Sequence, residues 1–179
     1  MKKTVVISGG SRGIGSSVVY KFAKKGYDII TCSRSRESLD LLSKNVLNIN
    51  SEINLHYIDL DLSIKSDCLK FCDFVKLKTK SIDILVNNVG KFIPGKIIDE
   101  KDGNLELMMN TNLYSNYVIT RGLISIFLDQ RKGHIFNIYK LKKKIVANKV
   151  INQFCKLLHL KIHQVIFKIW DKPYLCLTT

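Results

Sequence analysis

Through the first 138 residues, short apolar runs alternate with stretches that repeat an apolar side chain every three or four positions. The runs are TVVIS at Thr4–Ser8, YDIITC at Tyr27–Cys32, NLHYID at Asn54–Asp59, DILVNN at Asp83–Asn88 and HIFNI at His134–Ile138. Their length and β-branched content predict parallel strands covered on both faces. Helices are predicted between them, over 13–25, 37–47, 64–78 and 104–129. In the first, Ile14, Val18 and Phe22 mark one face, and Gly26 stands where a left-handed cap would stop the helix. Strands alternating with helices imply right-handed crossovers and an α/β fold, a doubly wound parallel sheet of about five strands.

From Tyr139 the pattern changes. Ile145, Val146, Val150, Ile151, Phe154, Leu157 and Leu158 recur at helical spacing, compatible with one amphipathic helix. The stretch HQVIFKIW that follows fits a strand or a helix equally. Two segments result: a body, residues 1–138, and a basic tail, residues 139–179, able to cover the open edge of the fifth strand.

Charge sharpens that division. The chain carries a net +14 over its 179 residues. Residues 1–138 hold 20 Lys+Arg against 14 Asp+Glu, whereas the tail holds nine lysines against Asp171 alone. Nucleic-acid binding through the tail is disfavoured, because few aromatics (Phe154, Phe167, Trp170, Tyr174) interleave with the lysines for base stacking. No apolar stretch is long enough to span a bilayer, and the apolar run after MKK is too short for a signal peptide, so no membrane partner is expected. A cytoplasmic protein is expected. The cysteines (Cys32, Cys68, Cys72, Cys155, Cys176) read as reduced thiols in or near a core, not as a zinc site. His159 and His163, one turn apart, lack a third ligand.

The candidate chemistry begins at SGGSRGIG, Ser8 to Gly15, between the first strand and the first helix. Gly9 would permit a tight turn, Gly13 would let the backbone approach a pyrophosphate, and Gly15 would allow close packing. The helix N-terminus would add free N–H groups and its dipole. This spacing resembles that of the short-chain dehydrogenase/reductase family, and three further stretches agree. LVNNVG (Leu85 to Gly90) is similar to the family's N-N-A-G, with Val89 in place of alanine. DLS at Asp61 to Ser63 falls where the family keeps an acid near the adenine, and MNTNLYSNYVITRGL resembles its long fourth helix. The match spans roughly residues 3–138.

The resemblance implies NAD(P)(H)-dependent hydride transfer between a carbonyl and an alcohol, with Asn112 as a catalytic residue. It implies a dinucleotide held by Gly9, Ser11, Arg12, Gly13, Ile14, Gly15, Ser33, Arg34, Asp61, Leu62, Asn88, Val89 and Gly90. An NAD site would have an acid at the end of the second strand for the ribose 2′-OH. Here that strand leads into Ser33, Arg34 and Arg36, and Arg12 adds a cation from the glycine loop. Arginine forks suit a 2′-phosphate, so NADP(H) is expected over NAD(H).

The resemblance stops after Ile138. The family's serine would stand where this chain has Lys140. Its Tyr-x-x-x-Lys pair is not found on a following helix; Tyr139 and Lys143 have the spacing but begin at the strand end. An impaired enzyme is therefore expected, from a chain truncated or shifted in frame between Ile138 and Lys144. The alternative is a non-catalytic nucleotide-binding or interaction protein. Substrate and oligomeric state are left open.

Overall fold

The computed structural model describes residues 2–141 and 161–168, with side chains described for residues 2–138. Six parallel strands form one sheet in the order β3-β2-β1-β4-β5-β6. They are β1 (Thr4–Ser8), β2 (Asp28–Ser33), β3 (Leu55–Asp59), β4 (Ile84–Asn87), β5 (His134–Leu141) and β6 (Lys161–Lys168). The first five are those the sequence predicts. β5 runs three residues further than expected, and β6 lies in the segment whose periodicity left strand and helix open. β6 pairs with β5 from His134↔Lys161 to Leu141↔Lys168. The helix expected over Ile145 to Leu158 lies outside the described residues.

Helices α1 (Gly13–Lys24) and α2 (Arg36–Ile49) cover one face of the sheet; α3 (Lys65–Lys78) and α5 (Ser115–Gln130) cover the other. Alternate strand residues feed the two cores. Val5, Ile7, Ile29 and Val86 pack with α1 and α2, while Val6, Ile30, Cys32, Leu85 and Ile135 pack with α3 and α5. Among the described residues, no helix is long and apolar enough to cross a membrane.

The buried stripe of α1 differs from the expected face. Gly15, Val19 and Ala23 are buried, whereas Ile14, Val18 and Phe22 are only half-buried. Small residues on the inner stripe let the helix approach the sheet closely, and the larger side chains flank that contact. The helix ends as predicted. Gly26 has φ +74°, its N–H reaches the Ala23 carbonyl, and the Tyr27 N–H reaches that of Phe22. The Phe22 and Tyr27 rings meet edge to face at 5.0 Å across this cap.

The long helix expected over 104–129 is interrupted. α4 (Asn104–Met109) passes through a π turn, Asn110–Tyr114, into α5. Side chains satisfy the carbonyls around the turn: Thr111 Oγ1 donates to Leu107 O, Ser115 Oγ to Thr111 O, and Asn116 Nδ2 to Asn112 O. Such turns are frequent at functional sites, and this one presents Asn112. Cys32, Cys68 and Cys72 are buried, and burial pushes their thiols up to about 12, 11 and 12 respectively. Among the described residues no cluster of His, Cys, Asp or Glu could hold a metal.

Candidate functional site

Strand order reverses direction between β1 and β4, so the crossovers leaving them run to opposite faces and open a crevice at the carboxyl ends of the strands. A cleft of about 750 Å³ lies there. Its floor depends on Ser8, the last residue of β1. The buried Ser8 Oγ accepts from the N–H groups of Asn88 (2.9 Å) and Val89 (3.1 Å). In return Asn88 Nδ2 donates to the carbonyls of Ser8 (3.1 Å) and Gly9 (2.9 Å). The ends of β1 and β4 are thereby stitched together. The sequence reading passed over Ser8; a hydroxyl closing a strand just before a glycine loop was the available signal.

Gly9 turns the loop at φ +70° and Gly13 opens the helix at φ +58°. Nothing lies within 4 Å of where a Gly13 Cβ would stand, so its backbone is open on that side. Gly15 is the opposite case: a Cβ there would run into the Gly9 carbonyl and come within 2.7 Å of Asn88 Nδ2. Helix α1 has no side-chain cap and no acid in its first turn, in contrast to α2, where Ser35 accepts from the Ser38 N–H. Its first N–H groups thus retain their capacity to meet an anion.

The second wall comes from β2. Ser33 and Ser11 share a hydrogen bond of 2.6 Å, joining the strand end to the glycine loop. Arg12 and Arg34 both line the cleft. Arg36 does not; it pairs with Asp40 (3.2 Å) and Asp59 (3.5 Å) and lies over the Tyr57 ring. At the third wall, Asp61 Oδ1 accepts from the backbone N–H and the hydroxyl of Ser63, an Asx turn that aims the carboxylate at the cleft rim.

Asn112 borders the cleft, and both ends of its amide are engaged. Oδ1 accepts from the Lys91 N–H at 2.7 Å and Nδ2 donates to the Lys91 carbonyl at 2.8 Å. Its side chain fastens the loop after β4. Of the other sequence-derived site residues, Gly9, Ser11, Arg12, Ile14, Gly15, Ser33, Arg34, Asp61, Leu62, Asn88, Val89 and Gly90 line the same cleft, and Gly13 alone stands outside its lining. Phe92, Leu107, Met108 and Leu113 extend it as an apolar wall. The sequence reading missed these four, because loop and helix-face apolars carry no local signature of a cleft.

Tyr139 lies within β5, its backbone paired with Ile166 of β6, so it is a strand residue. Lys143 is outside the described residues.

The short chain dehydrogenase family model matches residues 3–144. The chain is 30% identical over 149 residues to dehydrogenase/reductase SDR family member 7B of Xenopus tropicalis, covering 79% of this chain and 47% of that protein. It is 28% identical over 145 residues to the 3-oxoacyl-(acyl-carrier-protein) reductase of Chlamydia pneumoniae, covering 80% and 57%. The chain spans about half the length of the curated relatives it matches. In fold it resembles a metagenomic short-chain oxidoreductase in complex with NADP, with TM-score 0.81 and 22% identity over 92% of this chain and 81% of that one. It likewise resembles an alcohol dehydrogenase from the archaeon Thermococcus sibiricus complexed with 5-hydroxy-NADP, with TM-score 0.83 and 17% identity over 92% and 75%.

Proposed function

The chain belongs to the short-chain dehydrogenase family, and from that premise we propose that its cleft holds NADP(H) in preference to NAD(H). The observation that carries this reading is the pair Arg12 and Arg34 on one cleft, with no carboxylate at the end of β2. The acid nearest in sequence to that strand end, Glu37, is turned to Ser35, which holds its carboxyl below the ordinary range.

The residues present fit such a group. The uncapped start of α1, with Gly9, Ile14 and Gly15 on the cleft, suits the pyrophosphate. Arg12, Arg34 and the Ser11–Ser33 hydroxyls suit the 2′-phosphate, and Asp61 suits a hydrogen-bond donor on the adenine. When bound, the nicotinamide would supply or accept a hydride, and the family's reaction interconverts a carbonyl and an alcohol. Phe92, Leu107 and Met108 would give the ring an apolar wall. Asn112 keeps that wall in place through Lys91.

Among the described residues this arrangement has no placed proton donor. Tyr139 belongs to β5 and Lys140 occupies the serine's position in the resemblance. General acid–base help is worth about 10²–10⁴-fold, so turnover is expected to be lower by that order. The body, 1–138, carries the nucleotide chemistry in this reading, the tail 139–179 is an addition to it, and the working compartment is the cytoplasm.

The experiment is a fluorescence titration with NADPH and NADH on wild type and Arg34→Ser. A charge-assisted contact contributes about 1.5–3 kcal/mol, so a preference of at least about tenfold for NADPH is expected, lost in Arg34→Ser. Equal affinities in the wild type would refute the assignment. Ketone reduction with the preferred nucleotide, measured alongside, separates binding from catalysis.

A further inference from the structure

In a doubly wound sheet every helix ends, and every strand starts, at the end opposite the cleft. That end comprises residues 2–3, the last three residues of α1, α2, α3 and α5, and the segments leading from them into β2, β3, β4 and β5. It carries nine cations: Lys2, Lys3, Lys24, Lys25, Lys76, Lys78, Lys80, Arg131 and Lys132, all exposed. The acids there are four, Asp28, Glu52, Asp83 and Asp129, and two of them accept backbone N–H groups, Asp28 from Asn54 and Asp83 from Thr4. Nine against four is a net +5, while residues 1–138 as a whole are 20 against 14, a net +6. Nearly all the excess charge of the body therefore sits on one end of it.

Helix dipoles explain part of this. Cations are favoured at helix C-termini, and Lys24, Lys76 and Lys78 occupy last turns. Lys2, Lys3 and Lys80 lead into strands, where no such attraction acts. A second observation is independent of charge. The final three residues of α2, α3 and α5 each include an exposed leucine: Leu47 at 53%, Leu77 at 78% and Leu128 at 42%. These come from helices on both faces of the sheet, so the leucines flank the basic end on either side.

We infer that this end is a docking face for an anionic lipid bilayer. Six strands at about 4.8 Å spacing make the face about 24 Å wide. A broad basic end matches a planar charged surface, and exposed leucines among lysines match the boundary of headgroup and acyl chain. Nucleic acid fits less well. The aromatics on this end, Phe22 and Tyr27, are half-buried against each other and unavailable for stacking on bases. The face also lies opposite the cleft, so a docked protein keeps the cleft open to solvent. The inference is independent of the nucleotide assignment.

The test uses the full chain in sedimentation with phosphatidylcholine vesicles, with and without phosphatidylserine. Binding is expected only with phosphatidylserine and is expected to fall as salt rises. Each lysine near such a surface changes affinity by about fivefold, so Lys76→Gln/Lys80→Gln/Lys132→Gln should weaken binding by at least about tenfold. Leu77→Asn should weaken it on vesicles while leaving retention on heparin unchanged. The tail control, Lys142→Gln/Lys143→Gln/Lys144→Gln, should retain most of the binding. Circular dichroism confirms that each variant is folded. Equal binding to neutral vesicles would overturn the inference. So would unchanged binding of the folded Lys76/Lys80/Lys132 variant, or loss confined to the tail control. Duplex DNA retained through the same three lysines, with no vesicle binding, would reassign the face to nucleic acid.

Discussion

Gly15→Ala adds one methyl group at the tightest joint of the structure. The new Cβ would stand 3.0 Å from the Gly9 carbonyl carbon, closer still to its oxygen, and 2.7 Å from Asn88 Nδ2. Two of these atoms are backbone and cannot turn aside, so either α1 or the glycine loop must move. Overpacking of this kind costs about 1–3 kcal/mol. Displacing Asn88 from the Gly9 carbonyl, a 2.9 Å bond, adds about 0.5–1.5 kcal/mol. Alanine returns about 0.5–1 kcal/mol through its lower backbone entropy. The net loss is about 0.5–4 kcal/mol, or about 1–16 °C in Tm at the 2–4 °C per kcal/mol of a chain this size. Because the joint that gives way also sets the start of α1 against the cleft, NADPH affinity should fall with stability. Gly26→Ala is the control. Gly26 has φ +74° but nothing within 4 Å of its Cβ position, so alanine there costs about 1–2 kcal/mol of strain and leaves affinity unchanged. Thermal unfolding by circular dichroism and NADPH titration on both variants check this. If Gly15→Ala melts and binds as the wild type does, the close-packing argument is wrong.

The buried thiols of Cys32, Cys68 and Cys72 stay protonated through neutral pH, since burial pushes them to about 11–12. In a Cys155→Ser/Cys176→Ser background, a thiol-specific reagent at pH 8 should therefore react only once the protein is unfolded, and rapid labelling of the native state would contradict this. Asp67 is held below its ordinary value of 3.8, first by Lys70 and then by the Asp61 N–H. A lowered folded value means its contribution is present above the unfolded value and is lost as pH falls through the folded one. The acid limb of Tm against pH should be shallower in Asp67→Asn, and identical limbs would dismiss the contribution.

Local chemistry made much of this protein legible in its sequence. Strands β1, β2 and β4 announced themselves because a strand buried on both faces is mostly apolar, whereas β3, half-buried at the sheet edge, was legible only as a short run between two helical stretches. The end of α1 was readable because only glycine takes the left-handed cap at Gly26 cheaply. The glycine loop and the two Asn residues at the end of β4 could be assigned because backbone turns and strand-end contacts constrain residue type within a few positions. Tertiary structure decided the rest. Whether Arg36 or Arg34 reaches the cleft depends on Asp40, one turn on in α2, and on Asp59 and Tyr57, which only the pairing of β2 with β3 and the packing of α2 bring beside Arg36. The engagement of Asn112 with Lys91, 21 residues away, required the π turn, which no periodicity announced. The strand character of 161–168 came from an open edge on β5, because an apolar run of that length takes the structure its neighbour offers. The concentration of cations at one end is likewise invisible along the chain. Lys2, Lys25, Lys80 and Lys132 are far apart in sequence, and only the winding of the sheet puts them together.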